Sequence, residues 1–208
     1  MKKILTLLFV LLLTSLYAND TFKVKTIKGK ELTFIGTNKG MEVKEYKGKV
    51  ILLEFWGTWC GPCLLSIPHQ EEIEKKYKDK VKVIAFETTD SVDRKSLLKF
   101  VDDPANNIDF SHVQEYLKNK AKTPAQKKEL QEPIEKLKEF MAKKKKITYD
   151  VIAYEDGKDL IGYIGHRAQW PGYIPFLLIM DKDGSLAQII PGMPNAKKLD
   201  DYLKELIK

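Results

Sequence analysis

The chain has 208 residues, 43% of them apolar, which suits a single globular domain with room for one insertion. Its formal charge of +7 is spread over lysine-rich stretches instead of being gathered with arginine and aromatic residues, so it gives no basis for nucleic-acid binding. Cys60 and Cys63 are the only cysteines. A structural zinc site takes about four ligands, and neither a second cysteine pair nor a closely spaced histidine pair is present to complete one.

Residues 1–18 read as a secretory signal. Lys2-Lys3 supply the basic end, residues 4–13 the apolar core and Ala18 a cleavage point, although Leu16 stands where a small residue is usual. No cysteine follows the apolar core to carry a lipid, and an uncleaved anchor is the alternative reading. Both readings put the body of the protein outside the cytoplasm, where disulfides form readily.

In residues 19–49, Phe22, Val24 and Thr26 alternate, Lys28-Gly29-Lys30 supplies a turn, and Leu32-Thr33-Phe34-Ile35 continues as a strand. That is the pattern of a β-hairpin. Tyr46-Lys47-Gly48-Lys49 leads into residues 50–55, which are almost continuously apolar, as in a strand covered on both faces. Glu54 is the charged interruption, either a solvated strand end or a buried carboxylate.

A short turn then delivers Trp59-Cys60-Gly61-Pro62-Cys63 to the start of a helix. Two cysteines at this spacing close a small disulfide ring or present two thiols, and a helix N-terminus stabilises a thiolate at the first of them. The residues describe a redox pair, with an inert disulfide as the alternative.

Trp59-Cys60-Gly61-Pro62-Cys63 resembles the motif of the thioredoxin superfamily, and the lead-in Phe55-Trp56-Gly57-Thr58-Trp59 resembles its TlpA/ResA-type periplasmic branch. The resemblance implies an α/β thioredoxin fold, a central mixed sheet flanked by helices, with the N-terminal β-hairpin as an extension. It implies a periplasmic thiol-disulfide oxidoreductase in which Cys60 attacks and Cys63 resolves, with that pair as the redox centre and no further cofactor. Glu54 matches the acid buried beneath the second cysteine, and Pro68 the proline that kinks the active-site helix. Trp59, Gly61 and Pro62 would flank an exposed Cys60 sulfur as substrate-binding surface.

The helix from Cys60 turns Leu64, Ile67, Ile73 and Tyr77 toward a core and ends near Lys80, with His69 expected on its surface. Residues 81–86 form the next strand, parallel to the first through the helical crossover. Residues of about 91–131 depart from the resemblance and read as a helical insertion, either a surface elaboration or a partner-docking face. Ser91 caps a helix through Phe100, residues 102–107 form a loop, residues 112–118 a short helix, and Thr123-Pro124 is a cap with proline at the first helical position. Pro133 begins a further helix with Ile134, Leu137 and Met141 on one face, matched to the helix that crosses between sheet strands. Lys143-Lys144-Lys145-Lys146 suits the end of that helix. Residues 147–153 then read as a strand, with Asp156-Gly157 as its turn.

Ile174-Pro175 opens a second apolar strand that ends in Asp181-Lys182-Asp183-Gly184, and this resembles the superfamily's second signature. The resemblance implies a cis Pro175 against the disulfide and an Ile174 backbone offered to an extended substrate. Residues 185–190 return as the edge strand, and Gly192 matches a glycine that admits substrate backbone. Asn195 caps a last helix bearing Leu199, Tyr202, Leu203, Leu206 and Ile207 at helical spacing. His166 is expected to be a polar loop residue. Copper-handling relatives add a later histidine to cysteines that are usually three residues apart, whereas two residues separate this pair.

Gly-Pro between the cysteines resembles reducing thioredoxins more than oxidising relatives. The expected activity is therefore reduction of protein disulfides, with apocytochrome c thiols among the substrates and a membrane electron donor of DsbD or CcdA type as partner. A disulfide oxidase or isomerase is the alternative activity, and a copper-binding chaperone the non-enzymatic one.

Overall fold

The computed structural model describes residues 20–208. The secretory signal read over residues 1–18 lies outside the described residues. Among the described residues no helix is long and apolar enough to cross a membrane.

Two sheets organise the chain. Strands β1 (Thr21–Lys25), β2 (Glu31–Gly36) and β3 (Met41–Val43) form an antiparallel three-stranded sheet. The expected hairpin is therefore extended by a strand too short to show a period of two. The second sheet contains β4 (Val50–Trp56), β5 (Val81–Glu87), β6 (Asp150–Ile152), β7 (Phe176–Met180) and β8 (Leu186–Pro191), in the order β6-β5-β4-β7-β8. Strand β4 runs parallel to β5 and antiparallel to β7. This is the α/β thioredoxin fold, with α1 (Gly61–Lys76) crossing from β4 to β5.

Alternation along β4 sends successive side chains to opposite faces. Leu52 and Trp56 pack beneath α1 together with Val83, Ala85, Leu177 and Ile179. Ile51, Leu53 and Phe55 join Ile84, Phe86, Phe176 and Leu178 on the other face, against the N-terminal sheet. Both faces are covered, which is why β4 reads as an unbroken apolar run.

Between β5 and β6 lie α2 (Arg94–Asp102), the single turn α3 (Pro104–Asn107), α4 (Phe110–Lys120) and α5 (Pro124–Ala142). Asp93, not Ser91, caps α2 by accepting from Ser96 N. Thr123 and Gln126 form the capping box that starts α5, as Thr123-Pro124 suggests. That helix runs through Pro133 without stopping, so the helix expected to begin there is the second half of α5. Nor is the segment of about residues 91–131 a surface elaboration alone: Leu97, Phe100, Val101 and Val113 are buried in the core that also holds the two cysteines, as are Leu137 and Phe140 of the second half of α5. Ile147 joins them, with its N–H bonded to Val101 O at 2.9 Å, so the strand expected over residues 147–153 shortens to β6.

The helix that crosses to β7 is α6 (Tyr154–Arg167), which the sequence reading missed. Asp156-Gly157 lies in its first turn and makes no hairpin. Gly157 is there for packing, because a Cβ on it would stand 3.0 Å from Ile152 Cγ2 and 3.2 Å from Phe86 Cδ1. Helix α7 (Ala196–Leu206), capped by Asn195 as expected, returns to the α1 face through Leu199 and Leu203.

Candidate active site

Strand β4 delivers the chain to a turn, and Cys60 serves as the N-cap of α1, its sulfur accepting from Cys63 N at 3.3 Å. Pro62 occupies the first turn, where a missing N–H costs nothing. Cys60 and Cys63 are joined as a disulfide. When that bond opens, the Cys60 sulfur remains among the free N–H groups at the positive end of α1, which favours its thiolate. Cys60 is only 4% exposed, more enclosed than the exposed sulfur expected from the sequence.

Glu54 extends from β4 toward α1 and is 2% exposed, so it is not a solvated strand end. Ser66 Oγ lies 2.9 Å from Glu54 Oε1 and 2.7 Å from the carbonyl oxygen of Cys63. A serine has one proton to donate, and both partners accept. The two contacts are satisfied together when Glu54 is a neutral acid that donates to Ser66 while Ser66 donates to Cys63. Burial pushes the Glu54 carboxyl up to about 7, against the opposing pull of Ser66 and Gln70.

Three polar residues of this layer were missed in the sequence. Ser66 follows Cys63 by three positions on the buried face of α1, and that spacing was its available signal. Glu87, buried at the end of β5, accepts from Thr58 N at 3.1 Å and so holds the turn before Trp59. Burial raises its carboxyl, while the Thr58 and Thr89 donors oppose the rise. It stands opposite Trp56 in the β4–β5 register. Tyr149 reaches the same buried layer, and desolvation, with Glu54 and Glu71 nearby, keeps its phenol protonated.

Trp59 and Ile174 of the expected substrate face meet at Gly57, whose carbonyl accepts from Cys60 N at 3.1 Å. Trp59 is 45% exposed, and its indole crosses Gly57 where Ile174 Cδ1 also packs. The Ile174–Pro175 peptide is cis. Gly192 N donates to Pro175 O at 2.8 Å, and its φ of +80° is a conformation that glycine adopts freely. Tyr173, 51% exposed, extends this face. Gly61 instead faces inward, since a Cβ there would meet Tyr116 Cβ at 2.8 Å and the carbonyl oxygen of His112 more closely still. A groove of about 290 Å³ separates Trp59 from α2 and α4, with Asn107, Asp109 and His112 on its far wall.

The histidines fall differently from expectation. His69 is half-buried and lines a cleft, instead of lying on the surface. His166 is exposed but belongs to the last turn of α6 instead of a loop. Among the described residues no cluster of three or more His, Cys, Asp or Glu side chains has the arrangement to hold a metal ion.

A disulfide that caps a helix at the end of a central strand, joined through Ser66 to a buried acid, defines a thiol-disulfide oxidoreductase. The thioredoxin family model matches residues 37–143, just over half of the sequence, and the chain belongs to that family. It is 28% identical over 172 residues to the thiol-disulfide oxidoreductase ResA of Bacillus thuringiensis subsp. konkukian, covering 81% of this chain and 69% of that one. Against ResA of Bacillus anthracis the identity is 29% over 189 residues, with 88% and 81% covered. A crystal structure titled as a thiol:disulfide interchange protein DsbE from Chlorobium tepidum superimposes with a TM-score of 0.50 at 17% identity, covering 91% and 94%, and shares the fold.

Proposed function

We propose that the protein is a periplasmic reductase of protein disulfides, kept reduced by a membrane electron carrier of DsbD or CcdA type, with apocytochrome c thiols among its targets. The observation that carries this reading is the Cys60-Gly61-Pro62-Cys63 ring at the start of α1 with Glu54 buried beneath it.

The Cys60 thiolate attacks one sulfur of a substrate disulfide, forming a mixed disulfide and releasing the other sulfur as a thiolate. Glu54, as carboxylate, takes the proton from Cys63. The Cys63 thiolate then forms the S–S bond to Cys60, and the Cys60–substrate bond breaks with its electron pair on the substrate sulfur. Two electrons have passed to the substrate, and the protein holds its disulfide. Trp59, Pro62, Tyr173 and the Ile174 backbone receive the substrate segment, with Gly192 leaving room for its backbone. The dithiol is the whole redox group that this cycle requires.

Insulin reduction by the full chain, with dithiothreitol as donor, tests the reading. Cys60→Ser should abolish turnover, and Cys63→Ser should accumulate mixed disulfides. Equilibration with glutathione should place the pair near thioredoxin's potential of about −270 mV. A value near the roughly −120 mV of strong oxidants would replace the reductase with an oxidase.

A further inference from the structure

The buried acid has few neighbours through which its charge could be controlled. On its own sheet it stands between Ala85 of β5 and Leu177 of β7, neither of which titrates. From the segment before β6 it meets the Tyr149 phenol, which is wholly buried. From α1 it meets Ser66 and Gln70, and the Gln70 amide is buried without a full hydrogen bond.

Ser66 differs from the others because it has a second side. It borders a cleft of about 380 Å³ between α1, α5 and the start of α7. His69, one turn further along α1, lines the same cleft and is faced by Glu72 of its own helix, Lys136 of α5 and Asp200 of α7. Of the groups that meet the carboxyl from α1, Ser66 thus also lines that cleft.

We propose that Ser66 is a positioning residue for the proton step, holding the Glu54 carboxyl beneath Cys63 and reversing its hydrogen bond when that carboxyl ionises. With Glu54 neutral, its O–H donates to Ser66 Oγ, and Ser66 donates to the Cys63 carbonyl. With Glu54 ionised, the Ser66 hydroxyl turns and donates to the carboxylate, leaving that carbonyl to its helical partner. The charge-assisted bond is the stronger one, so Ser66 favours the ionised base. No atom is gained or lost in the turn, and the carboxyl proton passes finally to solvent water. This inference rests on the reading of Glu54 as the base for Cys63.

The test is single-turnover release from a mixed disulfide of Cys60 with 5-thio-2-nitrobenzoate, followed from about pH 5.5 to about pH 9 in the full chain. Ser66→Ala removes the donor to the ionised carboxylate. The midpoint of the release profile should rise by about one pH unit, with severalfold slower release near neutrality, while formation of the mixed disulfide by Cys60 is unchanged. Ser66→Thr, which keeps the hydroxyl, should restore the profile. In a Glu54→Gln background, Ser66→Ala should change nothing further. If Glu54→Gln slows release but Ser66→Ala keeps the wild-type midpoint, the role of Ser66 is overturned and the base stands. If Glu54→Gln itself leaves release unaltered, the reading of the base has failed first.

Discussion

The backbone carbonyl of His112 occupies the space that a Cβ on Gly61 would need. A residue between the two cysteines is therefore fixed by a helix about fifty positions later. Gly61→Ala should force α4 outward and cost about 1 to 3 kcal/mol, a loss that urea denaturation of the oxidised protein would measure. Stability equal to wild type would mean that α4 yields without resistance.

The carboxyl of Glu54 gives stability a pH dependence whose sign is fixed. Folding raises it from about 4.5 to about 7, so the folded state binds a proton that the unfolded state has released between those values. The folded protein should lose stability as pH rises from about 4.5 through about 7 and level off above, by at most on the order of 3 kcal/mol. Glu54→Gln should remove that slope and be the more stable protein at neutral pH. Parallel slopes for the two proteins in urea titrations at several pH values would contradict this.

Leu137 of α5 is wholly buried in the core shared with Cys60 and Cys63. Leu137→Ala should cost about 2 to 5 kcal/mol, the usual range for a large-to-small change in a core. Excision of residues 94–142 should accordingly give a chain that does not fold, as circular dichroism and thermal denaturation would report. A folded, insulin-reducing deletion would return those helices to the status of an ornament.

Trp59 is the large apolar side chain next to Cys60, and nearly half of it is open to solvent. Trp59→Ala should raise KM for a protein disulfide roughly tenfold while changing the rate with a small aromatic disulfide much less. Equal effects on both substrates would place Trp59 in the chemistry of Cys60 instead of in binding.

What the sequence could and could not disclose divides along physical lines. The strand into Cys60 and the cap at Thr123 depend on local chemistry and were readable from neighbouring residues, whereas the cis Pro175 was expected only through the family resemblance. Helix α6 was hidden because Gly157 normally signals a turn, and here its bare Cα lets the helix press onto Ile152 and Phe86. Pro133 misled in the same manner, since a long packed helix tolerates a proline that a shorter one would not. Within the site, Glu54 stood out as a charge in an apolar run. Ser66 offered only its spacing from Cys63, while Glu87 reaches Thr58 and Tyr149 reaches Glu54 through contacts between segments far apart in the chain.

Strand β4 draws its two neighbours from very different distances along the chain: Leu53 pairs with Ile84 on one side and with Leu178 on the other. The first pairing closes through α1 alone, whereas the second waits for α2 to α6 to be laid down. Contacts between distant segments form slowly, because their loop entropy must be met before they stabilise anything. Pulsed hydrogen exchange during refolding should thus protect the amides of β5 before those of β7. Since β7 and β8 carry Pro175 and Gly192 beside them, a refolding chain owns its thiols well before it owns a surface able to choose among their targets.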